Sequence, residues 1–358
     1  MQADELFEHM HYGFPFMRGA LDHVDLSDRS LAKLAVFETS FAHAVFDRST
    51  FDEMNFVKCD FTGASLAGAS LKNCAFVQCT LPGASFEGAS LERMSIAECD
   101  MAHANLARAS IYFSGLMKTS LADACLSGAR IEKSALLECD MARIDLSRAS
   151  LRNVAVTRAD LREANLDHLD CDTIMLADAD LSGRDLRSLA LAHANLMDGK
   201  LVGANLSGID LSGSLFMNAN LQRADLSGAR AAMALFAKAD LSGAKLVKAD
   251  LSLANFDEAN LQAADFAGAK LGMAVLTRTK AKAARFDGAD LTQALLGYAN
   301  LDGAVFSGAR FKQTDFHCTS TDGMLAAGAT GDLLDTDQPR AIAELYDPRR
   351  VPRADGGR

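Results

Sequence analysis

The chain of 358 residues carries a formal net charge of −11 at pH 7, which disfavours direct binding to nucleic acid because phosphates repel an acidic surface. Its eight cysteines stand at scattered small-residue positions, which indicates reduced thiols and favours a cytoplasmic protein. Residues 1–18 contain acidic side chains and lack the apolar core of a signal peptide. No stretch approaches the roughly 18 apolar residues of a membrane span, so we expect no membrane association.

Residues 1–20 follow the main repeat of the chain only in part, and we expect them to form an N-terminal cap. The aromatic stretch at residues 11–16, which reads HYGFPF, is predicted to cover the first coil. A cap is needed because the end of a repeat array exposes core side chains and unpaired strand edges.

From Leu21 to Phe316 every fifth residue is apolar, with no change of phase. We call this residue position i. The residue at i−2 is small, usually Ala, whereas those at i+1 and i+2 are polar or Gly. Position i departs from Leu, Ile, Val, Met and Phe at Cys171, Ala231 and Ala281. A five-residue step advances about 140° around an α-helix and alternates between the faces of a flat strand. The period therefore predicts a chain that turns a corner every five residues, with positions i−2 and i inside.

The repeats resemble the motif of the pentapeptide-repeat family, A(D/N)LXX, as in Ala164-Asn165-Leu166, Ala249-Asp250-Leu251 and Ala299-Asn300-Leu301. This resemblance implies an all-β fold, a right-handed quadrilateral parallel β-helix with four pentapeptides in each coil. Residues 21–318 would then form a single elongated domain of about 15 coils, with successive strands about 4.8 Å apart.

Beyond Phe316 the repeat decays, and residues 319–358 are expected to form a C-terminal cap followed by a tail. Residues 339–346 are predicted to make a short helix, with Asp337 near its start and Pro339 in the first turn. Residues 347–358 contain two prolines, two glycines and four arginines, a composition typical of disorder.

One side of the predicted rod has apolar residues where polar ones are expected. Positions i−1 and i+1 should face solvent, yet on the side centred on Phe56, Phe76 and every twentieth residue they are largely apolar. An exposed apolar patch of this extent marks an interface and predicts that a protein partner or a second copy binds there. The alternative is that long neighbouring side chains or a terminal segment cover it. The predicted interface residues are Val57, Val77, Met117, Leu137, Met175, Met197, Leu215, Met217, Leu235, Val275 and Leu295.

Other residue types that carry chemistry do not form a convincing site in this pattern. Cys59, Cys79, Cys99 and Cys139 share one column at i−2, but thiols stacked in parallel do not converge on a metal, and Cys substitutes readily for a buried Ala. The eight histidines assemble no catalytic arrangement with Ser, Cys or Asp. We therefore expect no catalytic residue, no metal and no cofactor, and we interpret the chain as a protein that is not an enzyme.

Acidic residues recur at i−1, for example at Asp140 and Asp180. The resemblance implies one function for such a surface, because the quinolone-resistance branch of the family presents an acidic rod to DNA gyrase as a mimic of duplex DNA. This chain is longer than that branch, has no projecting loops and places Lys200 and Lys245 in the same columns. The negative charge has a simpler role as well, since it keeps a long rod soluble.

The sequence thus favours a non-enzymatic scaffold or adaptor that binds a protein along the apolar side of a rigid rod. A long rod without loops is similar to pentapeptide-repeat proteins that accompany bacterial secretion systems and their effectors, which implies an accessory role of that kind. The alternative is a DNA mimic that binds DNA gyrase or another topoisomerase.

Overall fold

A computed structural model describes residues 2–344 of the chain. This part is nearly all β and forms a parallel β-solenoid of about 16 turns. Residues twenty apart pair in parallel, as Val36 does with Phe56 and Phe56 with Phe76. Each turn therefore consists of four pentapeptides. The predicted all-β fold, a parallel β-helix, is confirmed. The solenoid has about one turn more than expected, because Phe16–Met17 and residues up to Thr330 also pair.

Each turn has four faces, which we name from the first occurrence of their central residues after residue 20. The first face is centred on Leu21, the second on Leu26, the third on Leu31 and the fourth on Val36, and each continues at every twentieth residue. The helices and strands in the described residues are α1 (Gln2–Tyr12), β1 (Phe16–Met17), β2 (Ser30–Ala32), β3 (Ala35–Phe37), β4 (Thr50–Asp52), β5 (Asn55–Val57), β6 (Ser70–Lys72), β7 (Ala75–Val77), β8 (Ser90–Glu92), β9 (Ser95–Ala97), β10 (Ser110–Tyr112), β11 (Gly115–Met117), β12 (Arg130–Glu132), β13 (Ala135–Leu137), β14 (Ser150–Thr157), β15 (Asp170–Met175), β16 (Thr314–Asp315), β17 (Leu333–Leu334) and α2 (Gln338–Glu344).

The first half of the solenoid differs from the second in the length of its strands. From β2 to β13, even-numbered strands lie on the third face and odd-numbered strands on the fourth, whereas β14 and β15 run across both. The other two faces, and every face between Leu176 and Phe311, pair through single parallel bridges at position i−1. The fourth face is therefore a flat parallel sheet in the first half and a row of bridges in the second.

The corners explain why the repeat is five residues long. Residues at i+2 have a left-handed backbone, with φ of 56° at His23, 54° at Lys58 and 66° at Gly243. Glycine adopts this conformation without strain, which accounts for the glycines at this position. The left-handed i+2 residue turns the chain through a corner, so that the next pentapeptide starts a new face.

The core consists of the residues at i and i−2, as the period predicts. Phe216, Phe236 and Phe256 are fully buried and stack at ring-centroid distances of 5.0 and 4.9 Å. Alanines such as Ala234 fill the i−2 positions beside them with no exposed surface. Small residues are required there because the interior is narrow and close-packed.

The ladder is interrupted in the middle of the solenoid. Among the described residues, the regular bridges are missing between Asp140 and Asp160, between Asn165 and Asp185, and on both sides of Ala190. The residues at i−2 are unusually large in this region, with Arg184 on the second face and Leu169, Leu189 and Ile209 on the third. Large residues at i−2 are buried elsewhere without a gap in the ladder, as at Met54 and Met94 on the fourth face, so size alone does not account for the missing bridges. The two regular halves meet here at an irregular seam.

Helix α1 closes the N-terminal end of the solenoid. Leu6 of α1 is 1% exposed against the first coil, whereas Tyr12 and Phe14 are 68% and 64% exposed. The prediction that the aromatic stretch at residues 11–16 covers this coil is therefore wrong except for Phe16, which is a core residue. An amphipathic helix supplies a wider apolar surface than the extended aromatic stretch, and α1 takes over that role.

At the other end, Asp337 caps α2, because its Oδ1 accepts a hydrogen bond from the Arg340 backbone at 3.1 Å. The helix packs on the fourth face, where Glu344 contacts Tyr298 and His317. The end of the predicted helix, the last part of the C-terminal cap and the tail predicted to be disordered lie in residues 345–358, outside the described residues.

Candidate protein-binding face

The predicted interface residues all lie on the fourth face and point outward. Strand alternation buries position i and directs i−1 and i+1 to the surface, as β5 shows with Phe56 buried and Val57 half-buried. We call the eleven residues together the apolar strip, and their exposure ranges from half-buried to exposed. The half-buried ones are Val57, Val77, Leu137, Met197, Leu215, Met217, Leu235 and Val275, and the exposed ones are Met117, Met175 and Leu295.

The strip changes column along the rod. In the first half it occupies i+1, where Met117 pairs with Leu137 in register. In the second half it is mainly at i−1, where Leu215 bridges to Leu235 and Val275 to Leu295. The strip therefore runs along most of the rod and crosses the width of one face, with an interruption at the level of Asn255 and Asp257.

A row of ion pairs borders the strip where it changes column. Arg158 lies between Glu138, at 2.7 Å, and Asp178, at 3.4 Å. These side chains line a shallow hollow beside Leu137 and Thr157. Because all three charged groups are largely exposed, the pairs contribute little to stability. They make a polar rim beside an apolar surface, as in protein interfaces.

Three further exposed apolar residues lie beside the strip, and the sequence prediction missed them. Met233, Leu253 and Met273 lie one above another at the corner between the third and fourth faces, and they are 55%, 51% and 53% exposed. They occupy i+2 with φ of 58°, 61° and 56°, a conformation that is unfavourable for large apolar residues. We call them the corner ridge. The signal was present in the sequence, since three successive turns have a large apolar residue where Gly or a polar residue is usual.

The corner ridge lies directly beside the second half of the strip. Met233 is separated by one buried alanine from Leu235, and Met273 by another from Val275. On its other side the i+1 residues Ala232, Ser252 and Gly272 are small. The ridge therefore rises above small residues on one side and joins an apolar column on the other, so ridge and column together form one broad exposed apolar surface.

The cysteine column does not supply a reactive group. Cys79 and Cys99 are 1% and 3% exposed, and the hydrogen bond with the neighbouring Cys59 thiol raises the pKa of Cys79 to about 12. Burial raises the pKa of Cys139. A thiol that stays protonated is a poor nucleophile and a poor metal ligand. The hydrogen bond with the Cys79 thiol lowers the pKa of Cys59, but Cys59 is 1% exposed and so is not accessible to a reaction partner. Within residues 2–344 no group of three or more His, Cys, Asp or Glu side chains is placed to hold a metal.

The aspartates at i−1 have a structural role in the corners. Asp225 accepts a hydrogen bond from the Ser227 backbone at 2.9 Å, and Asn205 does the same for Ser207 at 3.1 Å. An Asp or Asn side chain that binds the backbone two residues on stabilises a turn. The recurrence of Asp in these columns is therefore explained by the corners alone.

Comparison with known proteins gives a family match and several structural likenesses. The family model "Pentapeptide repeats" matches in eight copies, at residues 59–94, 69–111, 124–162, 139–170, 175–213, 194–230, 234–272 and 284–317. Comparison with curated protein sequences finds no significant match. Neither helix of the described chain is long and apolar enough to cross a membrane.

Three solved structures illustrate the likeness. QnrB1, a plasmid-mediated fluoroquinolone resistance protein, is 20% identical in its trypsin-treated form, with a TM-score of 0.39, over 52% of this chain and 91% of that one. HetL of the cyanobacterium Nostoc sp. strain PCC 7120, involved in heterocyst differentiation regulation, is 26% identical, with a TM-score of 0.21, over 86% and 97%. Rfr23 of the cyanobacterium Cyanothece 51142 is 22% identical, with a TM-score of 0.21, over 38% and 90%.

TM-scores below 0.5 carry no argument about geometry, so the assignment rests on the repeats themselves. The family model covers more than half of the chain, and the parallel solenoid has the four-pentapeptide turn that the repeat implies. The chain belongs to the pentapeptide-repeat family.

Proposed function

We propose that this protein is a non-enzymatic scaffold that binds a protein partner along its fourth face. The observation that carries the proposal is the corner ridge beside the strip. Met233, Leu253 and Met273 are each more than half exposed in a left-handed backbone that favours glycine. Large apolar side chains in this position stabilise neither the corner nor the core, whereas a docked partner would bury them.

The polar surroundings fit such an interface. The strip is bordered by exposed charged residues such as Arg158 and Lys238, and protein interfaces usually combine an apolar centre with a polar rim. The rod itself supports a binding role rather than a catalytic one, because its core is filled by Phe and Leu side chains and its hollows are shallow. Binding energy would come from burying Met and Leu on a rigid surface, so little conformational entropy is lost.

The test compares two pairs of substitutions that are matched in backbone conformation and charge. Met233→Glu with Met273→Glu places two charges on the corner ridge. Ala263→Glu with Ala283→Glu places two charges at exposed i+2 corners of the first face, where φ is 55° at both positions. Wild type and both variants are used as baits in a native lysate, and captured proteins are identified by mass spectrometry.

We expect a partner that wild type and the first-face variant capture and that the ridge variant loses. A secretion-system effector among those proteins would support the accessory role that the family resemblance implies. Capture of the same partners by all three baits would contradict the proposed face. Capture of gyrase subunits by all three would favour the DNA mimic instead, and Asp140→Asn with Asp180→Asn should then abolish that capture.

A further inference from the structure

The first half of the fourth face has a raised column next to a low one. Strands β3 to β13 hold the two columns in register, so Gly115 is level with Met117 and Ala135 with Leu137. The raised column, at i+1, consists of Phe37, Val57, Val77, Ala97, Met117 and Leu137. The low column, at i−1, consists of Ala35, Asn55, Ala75, Ser95, Gly115 and Ala135. At five of the six levels the larger apolar side chain stands beside a residue with a small or short polar side chain.

The two corners that border this sheet have opposite charges at the same level. Lys33 precedes β3 and Glu38 follows it, and both are exposed. The same relation is found in the next levels, Glu53 with Lys58, Arg93 with Glu98 and Lys133 with Glu138, while Asn73 with Gln78 and Phe113 with Lys118 complete the series. Across these six described levels, like charges are never opposed.

We propose that this half of the fourth face binds the same face of a second copy, with the two rods parallel and in register. The inference deepens the proposed function, because it assigns an occupant to part of the strip. A two-fold axis that runs between the faces, along the rods, exchanges left and right at constant level. The raised column of each copy then lies over the low column of the other, and Lys33 lies opposite the partner subunit's Glu38.

Packing distinguishes this arrangement from the antiparallel one. A two-fold axis across the rods would place raised columns on each other and leave the low columns facing across a gap. Interiors and interfaces are close-packed, so large side chains are best opposed by small ones. Charge alone does not distinguish the parallel from the antiparallel arrangement, since the sign of the charge also alternates along each corner column. The combination of both features at the same levels favours the parallel pair.

The paired area sets the expected strength. Six strands about 4.8 Å apart and a face about five residues wide give on the order of 400 Å² from each copy in projection, or about 800 Å² in total, which is below the standard size and in the range of weak, transient interfaces. Glu38 already pairs with Arg18 at 2.9 Å, but an exposed pair of this kind is weak and leaves the carboxylate able to meet a second cation. We therefore expect reversible association that depends on protein concentration.

Gly115 allows a sharp test because the position is free in the single chain. A Cβ there would meet no atom within 4 Å, and its backbone is not left-handed. Gly115→Leu should therefore fold normally, yet it would meet the partner subunit's Met117. We expect the dimer dissociation constant of the full chain, measured by analytical ultracentrifugation, to rise about tenfold or more. Gly272→Leu on the third face, where the nearest atom is at 3.8 Å, is the matched control and should leave it unchanged.

Charge exchange gives a second test that includes its own rescue. Lys33→Glu with Lys133→Glu would oppose like charges at both ends of the interface and weaken the dimer. Adding Glu38→Lys with Glu138→Lys restores opposite charges at the same levels, so the fourfold variant should associate as wild type does. A fourfold variant that stays as weak as the double variant would contradict the in-register pairing.

The orientation is measured by distances between spin labels on the second face. Labels are placed at Ala67→Cys or at Ser227→Cys, after Cys125 and Cys318, the two native cysteines that are not buried, are changed to Ser. A parallel dimer gives similar distances between copies at both sites, whereas an antiparallel dimer gives clearly different ones. Unequal distances, a monomer at all concentrations, or a Gly115→Leu protein that associates as tightly as wild type would each overturn the inference.

The outcomes also separate this inference from the proposed function. The wild-type protein could prove to be a monomer and yet lose its captured partner on Met233→Glu with Met273→Glu. That result would support the proposed scaffold function and overturn the self-pairing. The wild-type protein could instead form a parallel dimer and capture the same proteins with and without these substitutions. That result would support the self-pairing and contradict partner binding at the corner ridge.

Discussion

At the scale of single residues, position i−2 usually holds Ala or another small residue, although larger apolar residues such as Met54 are also buried there. Arg184 departs further, because it brings a charged side chain to this position. Its Nη1 donates to the Arg162 carbonyl oxygen at 3.1 Å, but its buried Nε has no hydrogen-bond partner. The residues above and below it in the same column are Ala164 and Ala204, which are 1% and 0% exposed. An unsatisfied buried donor is costly, so this arginine weakens the coil in which it lies.

We predict that Arg184→Ala stabilises the protein by about 1–2 kcal/mol, because it removes the unpaired donor and restores the small residue that the column requires. The free energy of unfolding is measured in urea. Arg187→Ala, an outward residue paired with Asp185 at 2.6 Å, is the control and should leave stability nearly unchanged, because exposed ion pairs are weak. Destabilisation by Arg184→Ala would mean that the aliphatic part of the side chain is a necessary filler.

For the stacked phenylalanines, in contrast to Arg184, we expect that replacement by Ala destabilises the protein. Phe236 is fully buried between Phe216 and Phe256. Phe236→Ala should cost about 3–5 kcal/mol, because apolar burial is lost and a cavity remains. The measurement is again denaturant unfolding, with the exposed Lys238→Ala in the same turn as a control. Equal stability of the two variants would show that the inward assignment of this register is incorrect.

At the scale of the pentapeptide, the corner joins a left-handed i+2 residue to an Asp or Asn at i−1 that binds the backbone ahead. Side-chain and backbone hydrogen bonds from Ser27 lower the pKa of Asp25, and those from Ser212 lower the pKa of Asp210. Hydrogen bonds from the Arg187 side chain and backbone lower the pKa of Asp185 to about 2. In each corner the charged carboxylate is the form that the turn prefers.

This preference predicts how stability depends on acidity. A carboxyl with a lowered pKa in the folded state stabilises the fold fully above its unfolded value of 3.8 and loses that contribution as the pH falls toward the folded value. The melting temperature should therefore be steady from pH 7 to about 5 and fall below about pH 4.

Asparagine provides the matched control, because Asn205 makes the same hydrogen bond to the backbone without titrating. Asp25→Asn with Asp210→Asn should reduce the fall in melting temperature at low pH while leaving the value at pH 7 nearly unchanged. Identical acid profiles for the two proteins would mean that these corners do not determine acid sensitivity.

At the scale of the whole molecule, the sequence predicted most of the fold because each position of the pentapeptide has one environment. Residues at i and i−2 are buried and the outward strip lies on one face, as the period required. The seam was not predicted, since the period passes through Arg184 and Ala190 without a change of phase. The missing bridges leave the spacing of the apolar residues unchanged, so the period gives no sign of them.

The N-terminal cap and the corner ridge were harder to predict from the sequence, for a different reason. Helix α1 replaces the aromatic stretch as the N-terminal cap because Leu6 fits the open coil better, and this depends on shape rather than on the repeat. The corner ridge was not predicted because position i+2 was expected to hold polar residues or Gly, and Met233 and Leu253 depart from that rule. Its exposure depends on where the corner directs the side chain, which is a property of the left-handed backbone.

The seam also has a mechanical consequence. A solenoid with an unbroken ladder behaves as one stiff beam, since every turn is bonded to the turns on either side of it. Among the described residues around Ala190 the bridges are absent from the third face only, because the fourth face stays paired through Met175 and Asn195. We therefore expect bending that opens the third face to meet less resistance there, with a stiff beam on either side. The first beam carries the flat sheet of the fourth face and the second carries the corner ridge. A load applied to one beam would therefore alter its angle to the other and leave both binding surfaces undistorted.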